Sequence, residues 1–273
     1  MIRKSGPGRS EQETGRYGLA GAATLRRMVV KITTRADHPE SGSRIWEMPD
    51  SWPAFMDHDP VGWSLYSVAT AAYPELTVVA TDEGRVVGHG QATAFRLDLD
   101  GRRELPDTGW DQVLMWVGSD LRKGVEPDVA SALEVSVHSD WQGRGLSTLI
   151  LNAMRDAARA RGFDTLFAPV RPSHKHLEPA TPMSEYAYRT RAHGLPEDPW
   201  LRIHVRAGGV IEKIAPASMV VGSSLADWRE WTGLPFDTNG QVEVPHALTP
   251  VHCTTDHDHA VYVEPNVWVR HQL

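Results

Sequence analysis

The sequence predicts an α+β fold, a mixed central β-sheet flanked by helices with an α/β extension toward the C-terminal end. Three stretches carry that expectation. Between Ala132 and Gly162, apolar residues (Leu133, Val135, Val137) alternate with Glu134, Ser136 and His138, then pass through a glycine-bearing turn into a helical pattern opening near Leu146. Upstream, Leu76 to Gly101 reads as two strands joined by a turn at Asp82-Glu83-Gly84 and closed by a second turn at Asp100-Gly101, a β-meander leading into the central strand. Downstream, Phe163 to Val170 reads as a buried strand, and a strand reached through a helix returns parallel to the one before it.

The rest of the chain fits around this centre. Residues 1–27 set Arg3, Lys4, Arg9, Arg16, Arg26 and Arg27 against only Glu11 and Glu13, without apolar periodicity, and are expected to form a disordered basic tail. Met28 opens the first patterned segment, a strand through Asp37, and is a candidate translation start. Ile45 to Tyr73 carries helical patterning interrupted at Pro53 and Pro60, which predicts two helices. Their residues Trp46, Trp52, Phe55, Trp63, Leu65 and Tyr66 are expected to pack in the core, the alternative being that this region forms one wall of a ligand pocket. Residues 104–130 look looser, with Gln112–Gly118 a possible further strand. Arg171–Asp198 is a long, proline-bearing polar loop, longer than an ordinary connection between a strand and a helix and expected to serve function. Pro199 to Gly208 reads as a short helix, started by Asp198-Pro199 and stopped by Gly208-Gly209, leading into a strand from Val210 to Ile214. Beyond residue 216 come a helix with Leu225, Trp228 and Trp231 on one face, a turn at Asn239-Gly240 and a final strand through His259–His271. The expected division is a tail of residues 1–27, a core of residues 28–215 and an extension of residues 216–273 completing the same domain.

Composition narrows the class. With 273 residues, 41% of them apolar, the chain can bury a substantial core. A net charge of −7 and the lack of a basic stripe argue against nucleic acid as partner. The single cysteine, Cys253, excludes an internal disulfide framework and suits a reducing compartment. No apolar run has the length of a membrane span or a signal-peptide core, so the expected location is the cytoplasm, without membrane contact.

The turn at Gln142-Gly143-Arg144-Gly145-Leu146-Ser147 has the outline of a phosphate cradle. Gly143 and Gly145 let the backbone approach an anion, and the unpaired N–H groups opening the next helix would point at it, with no acidic residue before Asp156 to compete. A dinucleotide site needs G-x-G-x-x-G and a P-loop needs G-K-[ST]; neither is present. The turn resembles the Q/R-x-x-G-x-G/A pyrophosphate loop of the GNAT superfamily of N-acetyltransferases, with Ser147 where Gly or Ala is usual. The element order over residues 28–215 is similar to that fold. The segments Asp198–His204, Asp227–Phe236 and Glu264–Trp268 resemble a bacterial subgroup, some of whose relatives are fused to a carbon–nitrogen hydrolase domain, which is not expected here.

The resemblance implies a GNAT fold whose two central strands splay to admit pantetheine. It implies acetyl-CoA or another acyl-CoA as co-substrate, held by residues Gln142 to Ser147 and by the backbone of Val135 and Val137. It implies that Glu134 acts as general base toward the amine; the alternative is a strand residue that only lines the cleft. Where many members carry a tyrosine acid, four residues before a Gly-Phe pair, this chain has His204 four residues before Gly208-Gly209. His204 is therefore the candidate acid for the departing thiolate, or a base, against the alternative of a histidine packed beside Trp200 and Arg206. Tyr186 and Tyr188 are the fallback acids. Arg144 could reach the nucleotide phosphates or stay solvated. His174 and His176, and the group His252, Cys253, His257 and His259, lack paired metal-ligand spacing, so no metal is expected.

The expected activity is transfer of an acetyl or short acyl group from acyl-CoA to a small-molecule amine, by direct attack in a ternary complex. Two alternatives stay open at this point: a GNAT-like acyl-thioester enzyme working on a carrier protein as S-acyltransferase or decarboxylase, and a non-catalytic acyl-CoA-binding module. A homodimer is possible.

Overall fold

The computed structural model describes residues 30–49 and 52–273, so the expected basic tail and the candidate start at Met28 lie outside the described residues. Strand β1 (Lys31–Thr34) is followed by helix α1 (Pro39–Arg44), which tightens into a 3-10 turn at Ile45–Glu47, and by a second 3-10 turn at Ala54–His58. Helix α2 (Pro60–Ala71) starts as its sequence dictates, with Asp59 as N-cap accepting from the Gly62 amide and Pro60 in the first turn. Strands β2 (Val78–Asp82) and β3 (Arg85–Phe95) form the expected hairpin.

The stretch read as a strand at Gln112–Gly118 is instead the middle of a 15-residue helix, α3 (Gly109–Lys123). Its run of Val, Leu, Met and Trp suggested β structure, yet Trp110, Val113, Leu114 and Val117 recur at helical spacing and are the buried face. Gly124, in the left-handed conformation at φ 63°, closes the helix by donating to the carbonyls of Asp120 and Leu121.

The centre follows the expected order: β4 (Val129–Val137), a 3-10 turn at Ser139–Trp141, helix α4 (Leu146–Ala160) and β5 (Thr165–Val170). Then come the four-residue α5 (Met183–Tyr186), α6 (Pro199–Arg206), β6 (Val210–Ser224), α7 (Leu225–Thr232), β7 (Gly240–Val242), β8 (Val251–Thr254) and β9 (His259–Gln272). β6 is three times the expected length. Its register against β9 shifts between Ala215 and Met219, around Pro216, which cannot donate to a ladder. The expected boundary at residues 215/216 thus falls inside one strand.

The nine strands form one mixed sheet in the order β1-β2-β3-β4-β5-β9-β8-β7, with β6 along the other edge of β9. Only β4 and β5 run parallel, and their pairing is limited to Ala130 with Leu166 and Ser131 with Phe167. β9, the last element of the chain, pairs with β5 from Thr165–Gln272 to Val170–Val267. The C-terminal segment therefore supplies interior strands of the same sheet. Trp228 on α7 is fully buried, donates its indole N–H to the Ala260 carbonyl at 2.9 Å and packs against Phe55 with ring centroids 5.7 Å apart, which ties the extension to the first half of the chain. Among the described residues, no helix is long and apolar enough to cross a membrane.

Candidate active site

Beyond Ser131 the β4–β5 ladder stops, and a cleft of about 660 Å³ opens between the strands. The His138 amide bonds the Val87 carbonyl of β3 at 3.0 Å, so by strand alternation the backbone groups of Ser136 and Glu134 face β3 while those of Val135 and Val137 face the gap. The neighbouring carbonyls are already used: Leu133 O accepts from Trp110 Nε1 at 3.0 Å and Val137 O from Gln142 Nε2 at 3.3 Å. The Val135 peptide groups and the Val137 amide are left facing the cleft. That is the edge an extended amide-bearing ligand can pair with.

At the end of β4 the chain turns through Gly143 (φ 72°) and Gly145 (φ 82°), with open space where a Cβ would sit. Glycine is needed here for the left-handed backbone, not for packing. The amides of Gly143, Gly145, Leu146 and Ser147 donate to no backbone carbonyl among the described residues, and the first turn of α4 holds no acidic residue. A row of donors at a helix N-terminus is an anion site. Gln142, Gly143, Leu146 and Ser147 line the same cleft, whereas the Arg144 guanidinium lies 5.5 Å from the Trp141 ring centroid. The side chain of Gln142 braces the loop against β4 through the Val137 carbonyl. Gly145→Val, forced out of a left-handed conformation that costs a non-glycine residue about 1–2 kcal/mol, is expected to weaken acetyl-CoA binding at least about tenfold. Calorimetric titration with acetyl-CoA checks this, and an affinity within about twofold of wild type would mean that this turn does not hold the nucleotide.

Glu134 sits where the large cleft meets a second cavity of about 370 Å³. Its carboxylate is 15% exposed, accepts a short hydrogen bond from the Tyr66 hydroxyl and lies 3.5 Å from Gln91 Nε2 and 3.9 Å from His89 Nε2. Tyr66 was expected to pack; its ring does stack on Trp110, with centroids 5.7 Å apart, but its hydroxyl faces the candidate base. No local pattern around Tyr66 foretells this, because the two residues are 68 positions apart. Trp46 and Trp63, also expected in the core, are 66% and 83% exposed at the mouth of the second cavity. α2 turns only part of its aromatic content inward.

His204 is buried in the wall of the large cleft, edge-on to Trp200 as the packing alternative expected. Its Nδ1 lies 2.9 Å from Nε2 of His271, a residue that no sequence pattern singled out, while His204 Nε2 and His271 Nδ1 have no partner among the described residues. Burial, and then the neighbouring His271, hold His204 well below the usual histidine pKa; burial, and then Arg155, bring His271 down to about 4. Both rings are neutral at pH 7, with one proton on each pair of nitrogens.

The fallback tyrosines are not brought to the cleft. Tyr186 is buried and donates to Asp198 Oδ2 at 3.0 Å, and burial together with that carboxylate raises its pKa; Tyr188 is exposed. Asp198 also caps α6 through the Trp200 and Leu201 amides and accepts from the His174 amide. Lys175 is fully buried, its ammonium satisfied by the carbonyls of Glu178, Pro179 and Leu248. The long loop is therefore pinned at its centre, and only its opening residues Arg171, Ser173 and His176 reach the cleft. Among the described residues no group of three or more His, Cys, Asp or Glu side chains is placed to hold a metal.

Comparison with known proteins finds the same layout. The model of the acetyltransferase (GNAT) family matches residues 43–179. The arginine N-acetyltransferase avaD of Aspergillus versicolor is 31% identical over 274 residues, which cover 89% of this chain and 93% of that protein. The loading GNATL domain of CurA from Lyngbya majuscula has a TM-score of 0.55 at 18% identity, covering 89% of this chain and 97% of that one. The GphF GNAT-like decarboxylase in complex with isobutyryl-CoA has a TM-score of 0.50 at 16% identity, covering 89% and 98%. At those identities the two structures speak for the fold, and the chemistry rests on the cleft itself.

Proposed function

The chain belongs to the acetyltransferase (GNAT) family of acyl-CoA-dependent N-acyltransferases, and from that premise we propose that it moves an acetyl group from acetyl-CoA to the amine of a small molecule, with arginine the first acceptor to test. The observation that carries this reading is the position of Glu134, among the described residues the one titratable side chain that lines both cavities. On one side of it runs the open edge of β4, with the glycine turn beyond; on the other is a cavity of acidic and aromatic side chains. The naming of the fungal relative as an arginine N-acetyltransferase supports a small amine over a protein acceptor.

In the proposed mechanism the amides of Gly143, Gly145, Leu146 and Ser147 hold the pyrophosphate of acetyl-CoA and the Val135 and Val137 backbone pairs with pantetheine. The thioester is thereby set beside Glu134. The amine enters from the second cavity and gives a proton to Glu134, directly or through water. Its freed lone pair attacks the thioester carbonyl, the C–N bond forms as the C–S bond breaks, and the second proton of the attacking nitrogen passes to the departing thiolate, giving the amide and free CoA. His204 faces the same cleft as a neutral imidazole. The tautomer with its proton on Nε2, fixed by donation from His271 Nε2 to His204 Nδ1, would offer an N–H to the leaving sulfur.

The test is a steady-state assay of CoA release with acetyl-CoA and a panel of amines, coupled to mass analysis of the product. Equal amounts of free CoA and acetylated amine are expected. Loss of CO2 from malonyl-CoA, with no amine acylated, would replace this reading with the carrier-protein chemistry; failure to bind any acyl-CoA would remove both.

A further inference from the structure

The second cavity is built for a flat cation. Its floor is Asp59, 1% exposed, which uses Oδ2 to cap α2 through the Gly62 amide at 2.6 Å and whose Oδ1 meets no N–H or hydroxyl donor among the described residues. Behind it stands Asp111 in the first turn of α3, also buried, with Oδ2 accepting from the Val220 amide at 3.3 Å and Oδ1 likewise without an N–H or hydroxyl donor among the described residues. The two carboxyl groups are within hydrogen-bonding reach of each other, and a site this dry cannot hold two bare negative charges. Burial, and then the charge of Asp59, lift the pKa of Asp111 to about 8, so at neutral pH the pair shares one proton and presents one negative charge.

The approach to that charge is aromatic. Gly62 makes it possible: a Cβ there would meet the Trp110 ring at 3.2 Å and Asp59 Oδ2 at 2.8 Å, so only glycine lets α2 and α3 close this tightly over the carboxylate. Trp63 and Trp46 stand exposed at the mouth, with Tyr66 edge-on to Trp46 at 6.5 Å between ring centroids. A tryptophan at 83% exposure adds little to folding; lining the same cavity as a buried carboxylate, it offers a π face to a delocalised cation. A guanidinium suits this better than an ammonium, because it stacks on aromatic rings and meets a carboxylate edge-on with two N–H groups.

We propose that this cavity is the specificity pocket for the acceptor, seating a guanidinium on Asp59 between the aromatic side chains while the reacting amine stays at Glu134. This rests on the acyltransferase reading above, in that it takes the amine end of the acceptor to lie at the junction of the two cavities. Asp59 and Trp63 read the charged head; Asp111, which has no contact with the ligand, is a positioning residue that holds Asp59 and its proton.

The experiment measures kcat/KM for arginine and for citrulline, its neutral ureido counterpart, in wild type, Asp59→Asn and Trp63→Ala. In parallel, calorimetry follows the binding of arginine, agmatine and acetyl-CoA to each protein. Asn keeps an N-cap acceptor, and Trp63 is too exposed to matter for folding. Wild type is expected to prefer arginine over citrulline at least about a hundredfold. Asp59→Asn should erase most of that preference through KM, and Trp63→Ala should raise KM for arginine about fivefold. Acetyl-CoA affinity should be unchanged in both. Citrulline used as well as arginine by wild type, or equal losses for both acceptors in Asp59→Asn, would overturn the pocket. If no amine is acetylated but arginine and agmatine bind in an Asp59-dependent way, the pocket stands and the acyltransferase reading falls; if neither compound binds, the pocket itself is refuted.

Discussion

Glu134→Gln is expected to lower kcat for amine acetylation by about 10²–10⁴-fold, the usual contribution of a positioned general base, with acetyl-CoA affinity unchanged. The substitution keeps the shape of the side chain and its place between the two cavities while removing its ability to take a proton. The Tyr66 hydroxyl now donates to Glu134 and can still donate to the amide oxygen of glutamine, so the fold around it should hold. Tyr66→Phe, which leaves the carboxylate but removes its hydrogen bond, should cost far less. A Glu134→Gln variant that keeps its rate within a few-fold would show that the amine arrives neutral and that Glu134 only lines the cleft.

Asp111→Asn is expected to make the protein more stable at pH 8 and to flatten the dependence of stability on pH between about 4 and about 8. The sign follows from the direction of the shift. Asp111 holds its proton up to about pH 8 in the folded chain, against about 3.9 in an unfolded one. Between those values the folded state binds more protons, so the stability this group contributes is complete below about pH 4 and is lost as pH rises through about 8, at up to about 1.4 kcal/mol per pH unit. Asp59 is raised too, chiefly by burial, and Glu264 adds negative charge nearby, so the pair titrates as a unit. The buried histidines act in the opposite sense. With their pKa values depressed, His204 and His271 cost stability as pH falls below about 6.5, when the unfolded chain gains protons that the folded one refuses. The difference between wild type and variant in urea denaturation midpoints, taken from pH 5 to 8.5, cancels the histidine contribution. A flat difference would mean that Asp111 is ionised throughout and that the two aspartates do not share a proton.

The central unit was legible because its signals are local. The alternation of Leu133 to His138, the glycines at 143 and 145 and the helical stripe from Leu146 to Met154 each follow from backbone geometry within a few residues. The strand, turn and helix appear where that geometry puts them. Asp198 could be read as a helix start for the same reason, since an N-cap and its proline are neighbours in sequence. The misreading of Gln112–Gly118 has an equally physical origin: its five-residue apolar run Val113–Val117 is compatible with both periods, and only the wider spacing from Trp110 to Val117, with Gly124 as stop, separates helix from strand.

The sequence by itself thus determined strand β4, the glycine turn that ends it and the helix that follows. Only the tertiary structure decided what surrounds Glu134. Tyr66 reaches it from 68 residues away, His271 reaches His204 from 67, and Asp59 meets Asp111 where α2 packs on α3. In each case the partner is supplied by another element, and a side chain's sequence neighbours carry no record of what that element will bring. Exposure is decided in the same way: Trp63 and Trp110 are the same residue type on adjacent helices, yet one is left in solvent and the other buried, because only packing settles which face of a helix the sheet covers.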